Sequence, residues 1–190
     1  MTIYLRIIAL TTYYIVKQKE GNMRYFRSYR NLALLAVLLF FLSSISGFIV
    51  ANYMPLIGSE KDLINHEGSL GLAMDLFFNN MKVCVILMLG IFTFAIPTLF
   101  YLIFNGFFLG MGIKSLMLVG LSSNEIALHL IPHAVLEIPA FLLAGMIGLN
   151  GLTFYFKPRI QLKPIIISSI LVFILIFIAA MIEGLFSAEL

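Results

Sequence analysis

The chain has 190 residues, 62% of them apolar and 11% charged, with a net charge of +3. Soluble domains carry roughly a quarter charged residues, so this composition excludes a water-soluble domain and implies helices in lipid. The charge is too small and too scattered for a nucleic-acid footprint, and the single Cys84 excludes an intramolecular disulfide or a cysteine metal cluster.

Met1 to Val16 is apolar but interrupted by Arg6. It has neither the basic start nor the small-residue cleavage site of a signal peptide, and it is short for a crossing. The expectation is an interfacial helix lying under the bundle. A basic stretch follows, with Lys17, Lys19, Arg24, Arg27 and Arg30, and with Tyr25 and Tyr29 where an aromatic belt would sit. Residues 31–51 carry no charge and read as the first span. Residues 52–82 are the longest polar stretch; Ser59 followed by Asp62 has capping-box spacing. Apolar residues among Asp62, Glu67 and Asp75 suggest an amphipathic surface segment over 52–82.

Residues 83–104 form the expected second span, kinked by Pro97. Asn105-Gly106 reads as a tight turn, so a third span follows at once over 106–120. Ser122 and Glu125 make a second capping box before the fourth span, 126–151, which holds Pro132 and Pro139. Lys157, Arg159 and Lys163 form a short basic loop, and Pro164 opens the fifth span, 165–183, where proline is favoured. The expected fold is an all-α integral membrane protein, one transmembrane domain over 1–190 with about five crossings. The basic 17–30 and 157–163 segments belong in the cytoplasm, which puts the N-terminus inside and the C-terminus outside a bacterial cell membrane. The acidic 52–82 segment and the tail with Glu183 and Glu189 belong outside, and five crossings place all four segments on those sides.

Ionisable groups at membrane depth are functional candidates by default. Here they are Lys114, His129, His133 and Glu137, together with Asn80 and Asn105. His129, His133 and Glu137 share one stripe of a helix, but the outer two lie about 12 Å apart along the axis. One ion with bonds of about 2 Å cannot take all three from a regular helix. A His133/Glu137 or His129/His133 pair could supply two ligands, but the rest would have to come from other spans, which offer few, so no metal and no cofactor is expected. A residue count from the expected turns puts Lys114 and Glu137 at a similar depth, so the two are expected to approach each other directly or through a bridging group. Gly106 with Gly110, and Ala144 and Gly145 with Gly148, are small-residue faces that let helices approach closely, within the chain or in a homodimer.

The ordered set Asn80, Gly90, Asn105-Gly106, Gly110, Pro132-His133, Glu137, Ala144-Gly145 and Gly148 resembles the stage II sporulation protein M family over about residues 27–187. Ala134 stands where the family commonly has glycine, which argues against close backbone approach at that point. The resemblance implies a multi-pass membrane protein without an established enzymatic activity. It implies a scaffold that holds cell-wall-degrading partners, or a component found beside ABC transporters and bacteriocin export or immunity genes. The family's polar positions fall on Asn80, Asn105, His133 and Glu137.

The reading that follows is a non-enzymatic membrane component that assembles with other membrane proteins in the lipid bilayer. An ABC transporter, cell-wall-associated proteins and a second copy are the partners considered. No residue is assigned to catalysis. The alternatives are an accessory or permease subunit in peptide or bacteriocin export or immunity, and an intramembrane metal-dependent enzyme built on His129, His133 and Glu137.

Overall fold

In the computed structural model, residues 29–54, 69–156 and 162–186 are described. The expected interfacial helix before residue 29, the Ser59–Asp62 cap and most of the basic 157–163 loop lie outside them. Within the described residues there are five helices long and apolar enough to cross a membrane. We number them α1 (Tyr29–Tyr53), α2 (Leu70–Leu89), α3 (Ile96–Leu118), α4 (Ser123–Leu149) and α5 (Leu162–Phe186). A short turn of helix, Gly151–Phe154, prolongs α4.

Each boundary has a local cause. The Ser69 hydroxyl accepts a hydrogen bond from the Leu72 amide and starts α2. The expected capping box of Ser122 and Glu125 is present and starts α4. Helix α3 ends on Gly120 at φ 103°, and the Leu121 amide bonds back to the Leu116 carbonyl at 3.2 Å. Only a residue without a Cβ adopts that backbone readily, so glycine closes the helix.

Two expected boundaries are corrected. The second span begins at Leu70, not at 83, so residues 70–82 are its first half and not a surface segment. The break between the second and third spans falls at Gly90–Ala95, and Asn105-Gly106 lies in the middle of α3. Pro97 sits in the first turn of α3, where its missing N–H leaves nothing unpaired, so it starts a helix instead of kinking one. Phe94 and Ala95 both have positive φ at this break. That conformation costs about 1–2 kcal/mol per non-glycine residue. It is held by the Ala95 amide on the Gly90 carbonyl at 2.8 Å and the buried Thr98 hydroxyl on the Leu87 carbonyl at 2.7 Å.

Helices α2, α4 and α5 pack against one another and form the centre of the bundle. Phe77 of α2 meets Phe173 and Phe177 of α5 edge-on, with ring centroids 5.4 and 5.7 Å apart. At one end Ser69 N–H bonds the Gly184 carbonyl at 2.8 Å, tying the start of α2 to the end of α5. At the other end the Tyr155 hydroxyl donates to the Phe92 carbonyl at 2.6 Å and its ring stacks on Phe94. Helix α1 lies along α3. Gly106 and Gly110 abut the Phe40 and Ser44 carbonyls of α1, and Gly47 abuts the Phe107 carbonyl. The backbones touch there because no Cβ intervenes.

Candidate functional site: a polar pair inside the bundle

The inward stripe of α2 runs Ala73, Phe77, Asn80, Cys84 and Leu87, a spacing that keeps one helix face toward the core. Asn80 is the strongly polar member. Facing it on α4 is Glu137, fourteen residues after Ser123 and twelve before Leu149, so near the middle of the helix. The Asn80 amide donates to a Glu137 carboxylate oxygen across the interface of α2 and α4. Both side chains are half-buried. Glu183, three residues before the end of α5, lies within electrostatic reach of Glu137, and so does the buried Cys84. The site is therefore an amide–carboxylate bond that joins α2 to α4. Among the described residues no group of three His, Cys, Asp or Glu is arranged to hold a metal ion.

The remaining sequence candidates distribute differently. The Asn105 amide donates to the Tyr101 carbonyl of its own helix at 2.7 Å, so it is satisfied locally and does not join Glu137. Lys114 places its ammonium 5.2 Å from the centre of the Phe48 ring on α1. It makes no ion pair with Glu137, contrary to expectation. The reason is the misplaced turn. With Asn105-Gly106 inside α3, Lys114 lies four residues from the helix end and Glu137 fourteen residues into α4. Their depths are then about 6 and about 21 Å. His129 and His133 sit on the backbone of α4, but their side chains lie outside the described residues. The packing glycines all act within the chain. Gly106 and Gly110 meet α1, Gly148 meets the Leu87 carbonyl of α2, and a Cβ on Gly145 would come within 2.8 Å of Leu102 on α3.

Sequence reading missed Thr98, whose hydroxyl donates to the Leu87 carbonyl at the helix break beside the Gly90 amide. Buried polar residues beside a proline were the available signal. It also missed Asp75, Asn79 and Lys82, which α2 carries into the span on its exposed side.

The sequence matches the model of the stage II sporulation protein M family over residues 36–188. It is 34% identical to an uncharacterized protein of Methanocaldococcus jannaschii over 161 residues, 79% of this chain and 90% of that one. No solved structure matches. Several of the residues that carry the resemblance are contacts between spans: Asn80 on Glu137, Gly90 against Thr98, Gly106 and Gly110 against α1, and Gly148 against α2. They all fall within the matched region, and the chain belongs to the stage II sporulation protein M family.

Proposed function

We propose that this multi-pass membrane protein is a non-enzymatic component that assembles with partner membrane proteins. The observation that carries this reading is the Asn80–Glu137 bond. It joins two polar side chains to each other across the α2–α4 interface, the use polar residues have in packing membrane helices. The described connections between helices are also short, at 90–95 and 119–122, so the surface available to another molecule there is largely transmembrane. The basic segments flanking α1 and α5 support a cytoplasmic N-terminus and an external C-terminus.

The test is isolation of the protein from native membranes in a mild detergent, followed by native mass measurement and metal analysis. The expected result is a second membrane protein held in fixed stoichiometry through successive chromatographic steps, without a stoichiometric metal. A monodisperse chain with no companion sinks the reading. A stoichiometric metal lost on replacing His133 would turn it toward the intramembrane enzyme. A second reading, an accessory subunit in peptide or bacteriocin export or immunity, draws on Glu137, a carboxylate near the middle of a span. A companion that is an ABC transporter subunit would favour it.

A further inference from the structure

Asp75, Asn79 and Lys82 are exposed and stand at i, i+4 and i+7 of α2, so they share one face, turned away from the Asn80–Leu87 stripe. Phe78 and Val85, 61% and 43% exposed, flank them. The face lies inside the candidate span Leu70–Phe92. Lys82 is ten residues from Phe92, about 15 Å, which is the middle of a hydrocarbon core of about 30 Å. Among the described residues, none pairs with Asp75 or Lys82. Ionisable groups in lipid are costly and pair with one another or face a partner.

The chemistry of that partner can be narrowed. The carboxylates among the described residues are Asp75, Glu125, Glu137 and Glu183. Asp75 lies seven residues from Lys82, about 10 Å along the axis. Glu125 caps the start of α4, Glu137 is bonded to Asn80, and Glu183 stands at the end of α5. A second copy in the same orientation would thus set Lys82 against Lys82 and Asp75 against Asp75, and the acid at that depth, Glu137, is turned into the bundle onto Asn80.

We propose that the Asp75–Asn79–Lys82 face of α2 docks a transmembrane helix of a different protein. That helix carries a carboxylate at mid-membrane depth opposite Lys82 and a hydrogen-bonding group opposite Asn79. The proposal rests on the partner-assembly reading and names its surface.

The test uses the full chain, donor-labelled, in phosphatidylcholine vesicles. The probe is an acceptor-labelled leucine–alanine transmembrane peptide with one central Asp, compared with the same peptide carrying Leu. Energy transfer should show the Asp peptide binding about tenfold more tightly than the Leu peptide, the range of polar contacts between membrane helices. Lys82→Leu should erase the preference, and Lys82→Gln gives the same reading if the leucine variant inserts poorly. Lys114→Leu should preserve it, since that ammonium faces Phe48. Equal binding of the two peptides, or loss through Lys114→Leu and not through Lys82→Leu, overturns the proposal. So does self-association of the wild type that Lys82→Leu abolishes, because the face would then belong to a second copy. If a native companion survives Lys82→Leu, the docking face is wrong and the assembly reading stands.

Discussion

At the scale of residues, Asn80 and Glu137 are worth to the fold what each would lose alone. Removing one partner of a buried hydrogen bond leaves the other desolvated, at about 1–3 kcal/mol. Asn80→Leu should therefore destabilise the bundle by about that much in reversible detergent unfolding, because Glu137 loses its donor from α2. Glu137→Gln keeps an acceptor oxygen and should lose less. The double replacement Asn80→Leu with Glu137→Leu should recover part of the loss, since no polar group is then left unpaired. Additive losses in this cycle would mean that the two residues do not support each other. The pair was only half legible in the sequence. Glu137 stood out as a carboxylate in an apolar run, but its partner was expected to be Lys114. A helix sequence gives depth only after its ends are known, and here one end was misplaced by the Asn105-Gly106 dipeptide.

At the scale of elements, the difficulty lay in signals with two physical meanings. Asn-Gly is a turn signal when both residues need an unusual backbone. Here Asn105 folds its amide onto the Tyr101 carbonyl, and Gly106 is small because the Phe40 carbonyl of α1 lies against it. The true break was marked by Gly90 and Pro97, the end-with-glycine, start-with-proline order that brackets helices. Likewise, Asp62, Glu67 and Asp75 suggested a surface segment over 52–82, yet α2 begins at Leu70 and runs through Asp75 into the bundle. Spans α1, α4 and α5 were legible because long uncharged runs and the Ser122 cap bear on them without competition. The glycine contacts make a sharp prediction for α3. Gly110→Leu would force α1 away and should lower stability by about 1–3 kcal/mol, as overpacking does. Gly112→Leu, two residues on, has nothing within 4 Å of its Cβ position and should be close to neutral by the same unfolding measurement. Equal effects at the two positions would rule out the α1–α3 contact as the cause.

At the scale of the whole molecule, the number of crossings survived the errors in their edges, and this has a reason. Shifting the break from Asn105-Gly106 to Gly90–Ala95 moves residues along the membrane normal but leaves the parity unchanged. Helix α3 still carries the chain from the end holding Phe92 and Tyr155 to the end holding Ser122. The basic residues Arg30, at the start of α1, and Lys163, at the start of α5, therefore still share one end, opposite Asn124. Positive residues are retained on the cytoplasmic side, and the proposed cytoplasmic N-terminus rests on that rule. In a chain whose buried Cys84 is replaced by Ala, Asn124→Cys should react with a membrane-impermeant maleimide on intact cells. Lys163→Cys should react only after permeabilisation; both sites are exposed, so burial cannot explain a difference. Reversed labelling would invert the orientation and put the carboxyl end in the cytoplasm. Labelling of both sites from outside would require an even number of crossings between them and would contradict α4 as a single span.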